Sequence, residues 1–118
     1  MHELNTKSAT ELADLIKSKK VSSKEVIEAH LSRIKEVNPE INAITLVLEE
    51  SALQLAEKAD SASTEERERP FHGVPITIKE NIDYKGTPTT NGLPALAESM
   101  PPRNAPIVDR MLGAGAIP

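Results

Sequence analysis

Between residues 84 and 103 the chain carries four prolines (Pro88, Pro94, Pro101, Pro102) and two glycines (Gly86, Gly92). Proline locks φ, removes a backbone donor and pushes the residue before it out of the helical region. That stretch is therefore closed to long helices and to ladder-forming strands, and reads as turns. A chain of 118 residues suits one domain at most, so its regular structure has to lie on either side. A loop this long inside a compact domain is functional or disordered. The small hydroxyls Thr87, Thr89 and Thr90 argue for an ordered, close-packed one.

Ahead of the loop, two helix starts are well marked. Ser8-Ala9-Thr10-Glu11 and Ser22-Ser23-Lys24-Glu25 match the capping box, in which serine and glutamate satisfy free N–H groups reciprocally. Leu12, Leu15 and Ile16 follow the first at helical spacing. Ile27, Leu31 and Ile34 follow the second, with Val26 and Val37 beside them. Lys17, Lys19 and Lys20 suit the end of the first helix dipole, and Asn38-Pro39 is expected to close the second helix. Residues 41–48 read as a strand. Residues 49–62 read as a helix with Leu53, Ala56 and Ala59 inward, and 61–69 as a solvated linker. Residues 74–78 read as a second strand, with Pro75 tolerated near its start. Beyond the loop, Asn104 is expected to cap a short helix with Pro106 in its first turn. Ile107, Val108, Met111 and Leu112 form its buried face, and Gly113 or Gly115 ends it before a candidate last strand. This order predicts an α/β fold, with residues 1–40 a helical arm and 41–118 the start of an α/β core.

Composition narrows the function. Hydrophobic content of 38% and charged content of 27%, with both signs mixed, describe an ordinary soluble chain and not a disordered one. Phe71 and Tyr84 are the only aromatics, so Leu, Ile, Val and Ala must build the core. The net charge of -4 comes without a basic patch, because the arginines of Glu65-Glu66-Arg67-Glu68-Arg69 are balanced by acids. Nucleic-acid binding is not supported. With no cysteine there is no disulfide, thiolate nucleophile or Cys-based zinc site. The N-terminus lacks an apolar signal core and no apolar run approaches membrane-spanning length, so a cytoplasmic location without membrane contact is the expectation. The apolar run Gly113-Ala114-Gly115-Ala116-Ile117-Pro118 reads as a cut inside a larger fold. On that reading the apolar faces of 74–78 and 114–117 are exposed and the piece is weakly stable or self-associating.

Lys79 is the strongest candidate for chemistry. At the end of a buried strand its ammonium would sit at an apolar rim, where desolvation favours the neutral amine that can act as a base or activate a serine. The same residue also fits a lysine snorkelling at a strand end and paired with Glu80 or Asp83. His2, His30 and His72 match no zinc spacing; His72, before a glycine, reads as a turn residue, with a lone ligand or base role as the alternative. Gly113-Ala114-Gly115 lacks the third glycine of a dinucleotide fingerprint and reads as a helix cap. The serines lie mostly at caps or on helix surfaces, and none has the glycine neighbour of a nucleophile elbow.

Taken together, Gly73-Val74-Pro75-Ile76-Thr77-Ile78-Lys79-Glu80-Asn81-Ile82-Asp83, Gly86-Thr87-Pro88-Thr89-Thr90-Asn91-Gly92 and Asn104-Ala105-Pro106-Ile107-Val108 through Ile117 closely resemble the amidase signature family. Ser22-Ser23-Lys24-Glu25-Val26 and Asn38-Pro39 before Ile41-Asn42-Ala43 fit the same pattern, so the resemblance covers the whole chain. It implies the N-terminal part of a single α/β domain, with helices packed on a mixed, twisted sheet left incomplete here. It implies hydrolysis of carboxylic amides by a serine nucleophile, a second serine on a cis peptide bond and a lysine, without metal or cofactor. The lysine position falls on Lys79, with the role of relaying a proton through the bridging serine. Both serines would lie downstream, so the 118 residues alone are expected to be inactive. The implied partners are a small-molecule amide and the rest of its own chain, with a homodimer for the full-length protein. Two departures stand out: Glu80 where aspartate is common, which lengthens the arm, and Leu93 where serine is frequent, which implies a more apolar pocket. The A-type subunit of a glutamine-dependent tRNA amidotransferase is the alternative inside the family. Outside it, the alternative is a non-catalytic interaction or dimerisation module built on residues 8–37.

Overall fold

The structure, a computed structural model, describes Met1–Pro118. Five α-helices form: α1 (Ala9–Lys17), α2 (Ser23–Ile41), α3 (Glu49–Asp60), α4 (Thr64–Arg67) and α5 (Pro106–Gly113). Short 3-10 turns occupy Glu3–Thr6 and Pro94–Leu96. Both expected capping boxes form. Ser8 N–H donates to Glu11 Oε2 at 2.7 Å while Glu11 N–H donates to Ser8 Oγ at 3.2 Å, and Ser22 and Glu25 repeat the exchange. The span 61–69, expected as a solvated linker, instead holds α4. Its start is a third box of the same kind, Ser63 with Glu66, and it buries Arg67.

These boxes make the helix starts acid-sensitive. Hydrogen bonds from the serine N–H, then from its hydroxyl, hold the carboxyls of Glu11, Glu25 and Glu66 below the ordinary glutamate range. Each folded value lies below the unfolded one, so the stabilisation is complete above about pH 4.3 and disappears as pH falls through the depressed values. The melting temperature is expected to hold from about pH 7 to about pH 5 and to drop below about pH 4. A melting temperature unchanged down to about pH 3 would contradict this.

The core is aliphatic, as the shortage of aromatics requires. One cluster gathers Leu4, Leu12, Ile16, Val26, Ala29 and Val74; the other gathers Ile27, Leu31, Ala52, Ala56, Ala59 and Ile117. α2 contributes to both, so the stripes of α1 and α2 are consumed inside the chain and do not form a free docking face. The small residues Ala52, Ala56 and Ala59 let α3 lie close along α2; Leu53, expected inward with Ala56 and Ala59, is only partly buried beside them. α3 returns antiparallel to α2, and its last residue meets α2's start. Asp60 accepts from Ser23 N–H at 2.7 Å and Lys24 N–H at 3.0 Å, satisfying two donors that no helix can satisfy internally. Arg67 donates in turn to the backbone carbonyls of Asp60 and Ala62.

The expected sheet is not formed within these residues. Residues 41–48 are not a strand. α2 continues past Asn38 through Pro39 to Ile41 and stops at Asn42, in a left-handed conformation with φ 48°. The Asn38 amide then clasps Ile44, donating to its carbonyl at 2.8 Å and accepting from its N–H at 2.9 Å. That local loop uses the hydrogen bonds a strand would need. Residues 74–78 shrink to a single parallel bridge, Pro75 to Ile117. Ile117 N–H donates to Val74 C=O and Ile76 N–H to Ile117 C=O, both at 2.8 Å. Pro75 has no N–H to add, and no second partner strand is present to extend the ladder. The faces expected to be exposed are partly covered: Val74 is 1% and Ile117 3% exposed, packed into the two clusters.

At α5, Ala105 occupies the cap without a side-chain bond. Asn104, expected in that role, accepts from Lys85 N–H and donates to Asp109, each at 2.8 Å. Val108 is buried as expected, whereas Ile107 faces solvent.

Candidate active site

Beyond the Pro75 bridge the backbone turns. Ile82 N–H donates to Lys79 C=O at 2.9 Å, so Lys79 opens a tight turn instead of ending a strand. Its side chain is exposed and makes no hydrogen bond or ion pair within the chain; the five ion pairs all lie elsewhere. The desolvated rim expected around Lys79 is therefore absent among these residues. The alternative, a lysine paired with Glu80 or Asp83, is not formed either; both acids instead accept threonine hydroxyls, Asp83 on one oxygen.

Thr45 and Thr90 each donate a hydroxyl to one of the two carboxylate oxygens of Glu80. Asp83 Oδ1 accepts from Thr89 Oγ1 at 2.7 Å. The hydrogen bond from Thr45, then that from Thr90, holds the Glu80 carboxyl below the usual glutamate range. Thr90 also accepts from Gly92 N–H at 3.1 Å, and Leu93 N–H donates to Thr90 C=O at 2.9 Å. With φ of 50° at Asn91 and 72° at Gly92, this is a type I′-like turn, the conformation that Asn-Gly favours. The Asn91-Gly92 dipeptide is the sequence signal for it.

The rest of the loop is ordered by the hydroxyls and its own backbone. Thr87 Oγ1 donates to Tyr84 C=O at 2.8 Å, Thr89 N–H to Ser99 C=O at 2.8 Å, and Ala105 N–H to Asp83 C=O at 2.9 Å. Lys79, Glu80 and Asn81 line an open cleft of about 640 Å³ together with Thr45, Thr90 and Gly92.

The histidines do not meet. His30 Nδ1 lies 2.8 Å from Val26 C=O one helical turn back. His72 sits in a turn as expected but is fully buried, its Nε2 donating to Ala59 C=O at 2.9 Å. Among the serines, Ser8, Ser22 and Ser63 are caps, whereas Ser23 is buried and donates to Gly73 C=O at 2.8 Å.

The Amidase family model matches residues 25–118. The chain belongs to the amidase family. It is 45% identical over 111 residues to an indoleacetamide hydrolase of Bradyrhizobium diazoefficiens, covering 93% of this chain and 21% of that protein. It is 38% identical over 115 residues to the A-type subunit of the glutamyl-tRNA(Gln) amidotransferase of Thermoanaerobacter pseudethanolicus, covering 98% of this chain and 24% of that one. Among solved structures, the peptide amidase of Stenotrophomonas maltophilia superposes with a TM-score of 0.87 at 27% identity, over 98% of this chain and 24% of its own. The chain therefore spans between 21% and 24% of the length of these relatives. No helix is long and apolar enough to cross a membrane.

Proposed function

We propose that this chain is part of an amide hydrolase in which Lys79 carries protons for a serine nucleophile supplied by residues outside Met1–Pro118. The observation that carries the reading is the state of Lys79: it opens a turn beside a cleft, and both acids near it in sequence are held by threonines. A lysine not committed to an ion pair within these residues is available to exchange protons with a neighbouring hydroxyl and a departing amine, once residues outside Met1–Pro118 supply the desolvation that this role needs. In the reaction, the nucleophile's proton passes through a bridging serine to Lys79 as the serine oxygen attacks the amide carbon. The proton then goes to the nitrogen as the C–N bond breaks, and water releases the acyl group. The Val74–Ile117 pairing would seed the family's mixed sheet, completed by strands from outside these residues. The 118 residues alone would then lack turnover. Likeness to an indoleacetamide hydrolase makes a primary amide such as indoleacetamide the first substrate to test.

A second reading rests on the 38% identity to the A-type subunit of a glutamyl-tRNA(Gln) amidotransferase. There the same lysine would serve ammonia release from glutamine, in a complex with other subunits. Ammonia release by the purified full-length protein separates the two. Turnover of a panel of primary amides without added subunits supports the hydrolase. Turnover of glutamine alone, and only with partner subunits and charged tRNA, supports the amidotransferase. No ammonia from either would sink both readings.

A further inference from the structure

We propose that Glu80 is a positioning residue, whose carboxylate cross-links Thr45 to Thr90 and so fixes the turn that presents Lys79. The inference rests on the reading of Lys79 as the proton carrier. Thr45 and Thr90 lie 35 and 10 residues from Glu80 in sequence, on two segments that hold almost no regular structure. Segments of that kind keep their place only through such ties, since no helix or ladder orients them. The main chain doubles the link, with Asn91 N–H donating to Glu80 C=O at 3.3 Å. Thr90 is committed on both sides, giving its proton to Glu80 and accepting from Gly92 N–H.

Both threonine hydroxyls donate to Glu80. An ionised carboxylate offers two acceptor oxygens, one for each hydroxyl. Glutamine keeps one acceptor oxygen in place of two, so one threonine must turn its hydroxyl away from position 80 and accept from the N–H₂ instead, at Thr90 on an oxygen that already holds Gly92 N–H. The hydroxyl bonds hold the Glu80 carboxyl low, so the accepting form persists further into acid than for an ordinary glutamate. An aspartate, shorter by about 1.5 Å, reaches one threonine more easily than both. Glu80 and Lys79 are adjacent, so slack in this cross-link passes directly to the backbone that carries the lysine.

The test uses the full-length protein with Glu80→Gln, Glu80→Asp, Thr90→Val, the double variant Glu80→Gln/Thr90→Val, and Lys79→Ala as the reference for the proton carrier. Two quantities are read: backbone hydrogen exchange at Asn91, Gly92 and Leu93, and kcat and KM for an amide that the wild type hydrolyses. Glu80→Gln is expected to speed exchange at these amides by about tenfold or more. It is expected to lower kcat by about 10- to 100-fold with KM within about threefold. Glu80→Asp should recover part of both effects. The double variant should be no worse than Glu80→Gln alone, because the two residues act through one contact. The proposal is overturned if Glu80→Gln leaves exchange unchanged, or if it loosens the loop while kcat stays at the wild-type value and Lys79→Ala inactivates. If Lys79→Ala itself retains activity, the proton-carrier reading fails and takes the positioning role with it. The cross-link is then judged on the exchange data alone.

Discussion

Lys79→Ala in the full-length protein is expected, on the proposed role of Lys79, to lower kcat/KM for amide hydrolysis by a factor of about 10² to 10⁴, the usual share of a positioned acid–base group. Within Met1–Pro118 the substitution removes no contact, because the Lys79 side chain is exposed there and has no hydrogen bond or ion pair to lose, so the folding of this part should barely change. Arginine should not substitute. Its guanidinium keeps its proton and cannot alternate between donor and acceptor. A Lys79→Arg enzyme close to wild type would show that charge alone is needed and that proton transfer is carried elsewhere. Loss of activity together with a large fall in melting temperature would make Lys79 a structural residue.

The largest effect on stability is expected at Gly115. Its φ is +94°, and a Cβ there would stand 2.7 Å from the Cα and 3.0 Å from the N of His72. Those are backbone atoms of the buried turn that leads into the Pro75–Ile117 bridge, so nothing can swing aside. Gly86 has the same φ of +94° but open space around it. Alanine at Gly86 should therefore cost only the left-handed backbone penalty, about 1–2 kcal/mol. Alanine at Gly115 should cost about 2–4 kcal/mol, from the same penalty plus the clash. Denaturant unfolding of the two variants side by side separates strain from close approach. Equal losses at both positions would mean that the Gly115–His72 contact relaxes freely.

The sequence is most legible where order is local. Ser8 with Glu11 and Ser22 with Glu25 place helix starts through contacts three residues apart, and both form as expected. Ser63 with Glu66 carries the same signal, but the charge run beside it masks it by resembling a solvated linker. Long-range order is less legible. Residues 41–48 have β-type composition, yet whether they pair depends on a neighbouring strand. Without one, the Asn38 amide captures Ile44 and the segment becomes a loop. The site follows the same division. The resemblance singles out Lys79, and the structure puts it beside a cleft. That Thr45 and Thr90 meet at Glu80 cannot be read from residues so far apart. The small hydroxyls point only to an ordered loop.

In the proposed mechanism a primary amine at position 79, able to take up and return a proton, is required for amide cleavage. These 118 residues contain no cysteine, so in the Lys79→Cys variant the single thiol of this segment can be aminoethylated to a thioether analogue of lysine. Ammonia release by Lys79→Cys is expected to be lower than wild type by about 10² or more, and aminoethylation is expected to restore most of it. Activity near wild type before alkylation, or none regained after it, would contradict the claim.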